Sequence, residues 1–175
     1  MKKITLIIAL FFAFGAVNAQ DTNPYGFSNG SKFVTGSFKF EDQEAGTGRP
    51  LNASVTYNKF IGEAVSFGFT LGINSNELKA NDYVVGMEIR NYYTPTSQFS
   101  VFSKIGFNMT IPAEKGGDNQ FDLFVGPGLS YFVSKHFIVE TSLGLINTRI
   151  SKDFTQDFTV NTDLSGLKLG LAYKF

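Results

Sequence analysis

The sequence predicts an all-β protein, an eight-stranded antiparallel up-and-down transmembrane β-barrel. Three observations carry this. Apolar residues recur at every second position through most of the chain, the connections between those stretches alternate short and long, and the closing stretch is greasy on one side only. In that stretch Leu167, Leu169, Leu171, Tyr173 and Phe175 share one strand face, while Gly166, Lys168, Gly170, Ala172 and Lys174 share the other. Lysines on the enclosed side make poor sense in a soluble sandwich core and good sense in a barrel surrounded by lipid.

Residues 1–19 read as a signal peptide: Lys2 and Lys3 open it, Ile4 to Phe14 is apolar, and Val17-Asn18-Ala19 offers a small-residue cleavage site. The apolar run is too short to span a bilayer comfortably as a helix, and no second long run follows. Residues 20–31 read as a flexible lead-in, polar and punctuated by Pro24, Gly26 and Gly30. Residues 32–175 read as the barrel. There is no cysteine, which leaves neither a lipid-modified anchor nor a disulfide framework. Lys+Arg 15 balances Asp+Glu 15, so composition gives no reason to expect a nucleic-acid partner. Phe 20 and Gly 18 favour short strands and tight bends over helices.

The strands follow in order. Val34, Gly36, Phe38 and Phe40 alternate with Thr35, Ser37 and Lys39 in the first, and Leu51, Ala53, Val55 and Tyr57 with Asn52, Ser54 and Thr56 in the second. The third sets Val65, Phe67, Phe69, Leu71 and Ile73 against Ser66, Gly68, Thr70 and Gly72; the fourth sets Tyr83, Val85, Met87 and Ile89 against Gly86, Glu88 and Arg90. Phe99, Val101, Ile105, Phe107 and Met109 form the apolar face of the fifth, opposite Lys104 and Asn108. The sixth has Phe121, Leu123, Val125, Leu129 and Tyr131, the seventh Phe137, Val139, Leu143 and Leu145 opposite Glu140 and Ser142, and the eighth runs from Asp163 to Phe175. This is period two rather than 3.6. Each stretch is about the 9–11 residues that a tilted membrane-crossing strand requires.

Asn58 to Glu63, Thr94 to Gln98 and Ser134 to His136 are short connections; Glu41 to Pro50, Asn74 to Asn81, Thr110 to Gln120 and Asn147 to Thr162 are longer and more polar. Short turns on the periplasmic side and long outer loops are the habit of outer-membrane barrels. Tyr57, Tyr93, Phe99, Tyr131, Phe137, Tyr173 and Phe175 all fall in the outward phase beside the short turns, where an aromatic girdle belongs. Pro127 interrupts the sixth strand, and a bulge permitted by Gly126 and Gly128 is the expected accommodation.

Two resemblances accompany this reading. The closing stretch, with Lys168, Gly170, Tyr173 and Phe175 at its spaced positions, resembles the assembly signal of bacterial outer-membrane barrels, which implies recognition by the barrel-assembly machinery. Gly126-Pro127-Gly128-Leu129-Ser130-Tyr131, Ser54-Val55-Thr56-Tyr57 and Arg90-Asn91-Tyr92-Tyr93 resemble the outer-membrane protein β-barrel domain family related to the OmpA/OmpX type, over about Ser31 to Phe175. In that family pattern two tyrosines follow the arginine directly. Here Asn91 intervenes, which leaves open whether Tyr92 or Tyr93 faces lipid.

The inward face holds the candidate site residues Lys39, Glu88, Arg90, Lys104, Glu140 and Lys168. Charges enclosed in so narrow a barrel must pair or be solvated, and Arg90 with Glu88 or Glu140 is the expected pair. Such a network reads as a plug that fills the lumen and fixes register; a narrow gated ion path through the same groups is the alternative. Catalysis is not expected. His136, the single histidine, falls in a short turn, and no zinc site or hydrolytic triad can be assembled around it. Glu41, Asp42 and Glu44, or Asp118 beside Gly116-Gly117, read as solvated loop charges, with a loose hold on Ca2+ as the alternative, so neither a dedicated metal site nor a cofactor is expected. Ile150, Phe154, Phe158 and Val160 keep the alternation going in the last outer loop, as a protruding hairpin with an edge for a surface partner would.

Three functions follow: a non-enzymatic integral outer-membrane barrel with a structural or surface-interaction role, a small channel, and a secreted lipocalin-like barrel. The last requires the apolar faces to line a ligand cavity.

Overall fold

The computed structural model describes residues 25–40, 51–76, 79–114, 117–150, 156–160 and 167–175. The side chains of 39, 40, 76, 79, 80, 149, 150 and 156–159 fall outside that description. The segment read as a signal peptide and the Glu41, Asp42 and Glu44 cluster also lie outside it.

The strands are β1 (Lys32–Phe40), β2 (Leu51–Phe60), β3 (Val65–Asn76), β4 (Lys79–Tyr92), β5 (Phe99–Ile111), β6 (Gln120–Phe132), β7 (Phe137–Leu143), β8 (Ile146–Ile150), β9 (Gln156–Val160) and β10 (Leu167–Lys174). Neighbours in sequence pair antiparallel from β1 to β7, and β10 pairs with both β7 and β1. That last ladder, from Phe33↔Lys174 to Phe38↔Leu169, closes the cylinder. β7 and β8 together make the seventh stave and β9 and β10 the eighth, so the barrel is eight-stranded. Closure removes the open edges that lipid cannot hydrogen-bond.

The split in the seventh stave corrects the expectation for Pro127. β6 is continuous, and its ladder to β5 runs through Ser103↔Pro127 without interruption. The irregularity lies in the facing stave instead. Pairing stops at Gly128↔Ser142 and resumes at Val125↔Ile146, so Leu143, Gly144 and Leu145 oppose only Gly126 and Pro127. The extra residue is a bulge opposite the position where proline has no N–H to donate. Leu145 N–H bridges the gap to Val125 C=O at 3.0 Å. Gly126 is required here because a Cβ would run into the Leu143 carbonyl.

The side-chain distribution is inverted relative to a water-soluble protein. Leu169 is 56% exposed and Phe67 and Val125 are each 40% exposed, whereas Arg90 is 5% and Lys104 8% exposed. The apolar faces therefore point outward, opposite to what a lipocalin-like barrel needs. Tyr57, Tyr93, Phe99, Phe137, Tyr173 and Phe175 are all exposed on that wall. Tyr93 faces outward and Tyr92 is buried in the lumen, which resolves the ambiguity left by Asn91.

Candidate functional site: the lumen

Alternation sends one residue in two inward, and the inward set changes character along the barrel axis. At the short-turn end it is aromatic. Phe33, Phe60, Tyr92, Phe102, Phe132, Ile138 and Ala172 form a buried cluster closed from below by Phe27. The Phe27 ring lies 4.8 Å from Phe33 and Phe60, 4.9 Å from Phe132 and 5.0 Å from Tyr92, centroid to centroid. Burying such a ring contributes about 3 kcal/mol.

Phe27 belongs to the segment read as a flexible lead-in, yet Tyr25 to Ser31 is tied down. Phe27 N–H donates to Pro95 C=O at 2.7 Å, Phe60 N–H to Ser31 C=O at 2.8 Å, and Lys174 Nζ to Gly26 C=O at 2.6 Å. Gly26 takes a φ of +110°, and a Cβ there would strike the Pro95–Thr96 backbone. Only glycine lets the segment lie flat against that turn.

Above the rings sits a charged layer. Arg90 Nε donates to Glu88 Oε1 at 2.6 Å, and its Nη1 donates to Glu140 Oε1 at 3.0 Å, Glu140 Oε2 at 3.1 Å and Tyr92 OH at 3.3 Å. Glu140 also accepts from Thr35 at 2.9 Å and Ser130 at 2.8 Å. The guanidinium lies 4.9 Å from the Phe102 ring centroid and 5.5 Å from that of Phe33, joining the ionic and aromatic layers. Lys104 Nζ donates to Ser142 Oγ at 2.8 Å and sits 5.4 Å from the Phe124 ring; Lys168 approaches the same ring at 6.0 Å. Among the described residues the buried carboxylates Glu88 and Glu140 are thus set against the buried cationic side chains Arg90 and Lys104. An enclosed layer without that opposition of charge would carry a large desolvation penalty.

The structure therefore brings Arg90, Glu88 and Glu140 together, with Lys104 on the same wall level and Lys168 higher. Lys39 pairs with Asn52 in register, but its side chain lies outside the description. Of the closing-strand positions, Lys168 and Gly170 point inward and Tyr173 and Phe175 outward. His136 is exposed in its turn, with Nδ1 2.8 Å from Lys174 C=O and its ring stacked on Tyr173. No group of His, Cys, Asp and Glu among the described residues is arranged to hold a metal.

Toward the long loops the lumen is mostly polar, with Phe124 as its one buried ring among the described residues. A cavity of about 370 Å³ is lined by Ser37, Ser54, Thr70, Asn108, Thr110 and Asp122, among others, with Arg90 in its floor. The floor of six rings beneath it, Phe27, Phe33, Phe60, Tyr92, Phe102 and Phe132, was not anticipated from sequence. Its signal was available: Tyr92-Tyr93, Val101-Phe102, Tyr131-Phe132 and Phe137-Ile138 are doubled apolar positions at strand ends, where both faces are apolar.

No family model and no curated protein sequence matches the chain. Among solved structures it is similar to the N-terminal β-barrel domain of Pseudomonas aeruginosa OprF, with TM-score 0.61 and 10% identity, over 85% of this chain and 100% of that one. It is also similar to the Yersinia pestis outer membrane protein Ail in a phospholipid bilayer nanodisc, with TM-score 0.50 and 12% identity, over 84% of this chain and 100% of that one. At such identities the likeness speaks to fold. The chain has the architecture of the small eight-stranded outer-membrane barrels, as the resemblance at Gly126 to Tyr131 implied.

Proposed function

We propose that this chain is an integral outer-membrane protein with a structural or surface-interaction role and no catalytic one. The observation that carries the reading is the inversion of the wall. Phe38, Val55, Phe69, Leu71, Ile89, Ile105, Leu123 and Leu171 are exposed while Arg90, Glu88 and Glu140 are buried. An apolar belt of this extent cannot remain in water. Exposed aromatics beside the short turns, Tyr57, Tyr93, Phe99, Phe137, Tyr173 and Phe175, together with the long connections at the other end, support an orientation with the short turns at the periplasmic interface. Export through residues 1–19 and recognition of Lys168, Gly170, Tyr173 and Phe175 by the assembly machinery belong to the same reading.

On this reading the lumen is a plug in two layers, rings below and ions above, and it does not conduct. Membrane fractionation with heat-modifiable gel mobility tests the assignment: the folded protein requires detergent and migrates differently before and after boiling. Recovery as a soluble periplasmic protein would overturn it. The wide polar cavity above Arg90 supports the channel as a second reading. Planar-bilayer recording separates the two, because steady wild-type conductance that changes on neutralising Arg90 or Glu88 favours the channel.

A surface contact at the outer end would use the β8–β9 hairpin. Among the described residues β9 pairs with β8 alone, and an added strand on its other side is the contact this reading expects. Deleting Arg149 to Asn161 removes that edge, and unchanged adhesion or binding would count against it.

A further inference from the structure

We propose that Lys32 and Lys59 form a clamp on the outer wall for the phosphate of an anionic phospholipid headgroup. The inference rests on the membrane reading above and adds a ligand to it. Lys32 precedes Val34 by two residues and Lys59 follows Tyr57 by two, so both continue the outward phase of their strands, and both are exposed. They are direct cross-strand partners in the β1–β2 ladder. The Phe60 N–H to Ser31 C=O bond brackets them from the turn side. That pattern makes Lys32↔Lys59 a non-hydrogen-bonded pair, the kind with Cα atoms only ~4.5 Å apart and side chains closest.

Two like charges at such a position repel. Among the described residues neither ammonium has a carboxylate partner within ion-pair distance, unlike Arg90 in the lumen. Polar outward positions of the other strands, Asn91, Ser103 and Thr141, are uncharged, so this pair puts two cations at one place, on β1 and β2. Outward positions at the same level on other staves are aromatic: Tyr93, Phe99, Tyr131 and Phe137.

Immediately above the pair lies a ring platform. Tyr57 and Phe175 stack at 6.5 Å, and Tyr173 meets Phe175 at 6.2 Å. Phe175 N–H donates to Lys32 C=O at 3.1 Å, which brings the platform beside Lys32. Rings of this kind settle at the boundary between acyl chains and headgroups. The ammonium groups one step beyond them then reach the phosphate layer, where one phosphate, its single negative charge shared by two free oxygens, accepts a hydrogen bond from each ammonium and relieves their mutual repulsion. A headgroup with no cation of its own leaves that negative charge available, so an anionic lipid is favoured over a zwitterionic one.

The test uses the full protein reconstituted into phosphatidylcholine vesicles with and without phosphatidylglycerol, followed by native mass spectrometry of retained lipid. Wild type is expected to retain phosphatidylglycerol in preference to phosphatidylcholine, and Lys32→Gln with Lys59→Gln to lose that preference by about tenfold. Lys32→Arg with Lys59→Arg should keep it, and Lys135→Gln, an exposed lysine of the neighbouring turn region, should leave it unchanged. Vesicle flotation and heat-modifiable mobility are read on each variant. Protein that floats but retains both lipids alike, or a Lys135→Gln loss equal to that of the double variant, overturns the clamp and leaves the membrane reading standing. Protein that does not float overturns both.

Discussion

The two halves of the lumen are enclosed by the same eight staves and have opposite contents. Toward the short turns, Phe27, Phe33, Phe60, Tyr92 and Phe132 fill the cross-section, with Phe27 stacked on Phe60 and edge-on to Phe132. Toward the long loops the inward positions are small hydroxyls and amides that bond their cross-strand neighbours, Thr56 with Thr70 at 2.8 Å and Ser37 with Ser54 at 3.3 Å, and leave a cavity of about 370 Å³. Barrel geometry alone does not decide whether a lumen is solid or hollow. Side-chain volume at the inward positions does, and Arg90 marks the boundary because it touches both regimes.

The sharpest way to break this division is at that boundary. Arg90→Met is expected to destabilise the barrel by about 4 kcal/mol, because it leaves Glu88 and Glu140 enclosed without their shared cation. A urea titration of the heat-modifiable band in detergent measures it. Phe27→Ala should come next, at about 3 kcal/mol, since the cavity it leaves is bounded by rings that cannot collapse inward. The same variant should raise the access of a small thiol reagent to a cysteine placed at Phe102, if the rings are the seal.

Gly126→Ala is expected to cost about 2 kcal/mol through overlap with the Leu143 carbonyl, read in the same titration. In the hollow half Ser37→Ala should cost less than about 0.5 kcal/mol, since it neither opens a cavity nor strands a charge. Ser66→Ala sharpens the contrast from the other side. Its hydroxyl is fully buried with no hydrogen-bond partner among the described residues, so its removal should leave stability unchanged or slightly improve it. A loss as large as that of Phe27→Ala would contradict this account of the lower lumen.

The staves were legible because alternation is a local property: any strand with lipid on one side and an enclosed lumen on the other writes period two into its sequence. Glu88, Arg90, Glu140 and Lys104 were legible as inward charges for the same reason. Arg90 was legible as the partner of Glu88 or Glu140; that it holds both at once was not, because Arg90 on β4 reaches Glu140 on β7 across the lumen, a distance set by tilt and stagger rather than by spacing along the chain. The stopper was missed for a different reason. Phe27 stands in a segment rich in glycine and polar residues, with no period to announce burial, and its environment is assembled from strands far apart in sequence. Pro127 misled in an instructive way: the residue that cannot donate stays in a regular strand, and its neighbour across the ladder bends.

Glu140 has a consequence for the order of assembly. Its carboxylate receives Ser130 from the adjoining strand, Arg90 from across the lumen and Thr35 from β1, which lies beyond β10. In a chain whose first and last strands have not yet joined, the Thr35 bond cannot exist and the carboxylate keeps its water. Zipping β1 to β10 strips that water and delivers the replacement donor in one event. The final step of closure therefore carries its own proofreading, because a seam joined one residue out of register would turn Thr35 outward and leave Glu140 dehydrated and short of a partner.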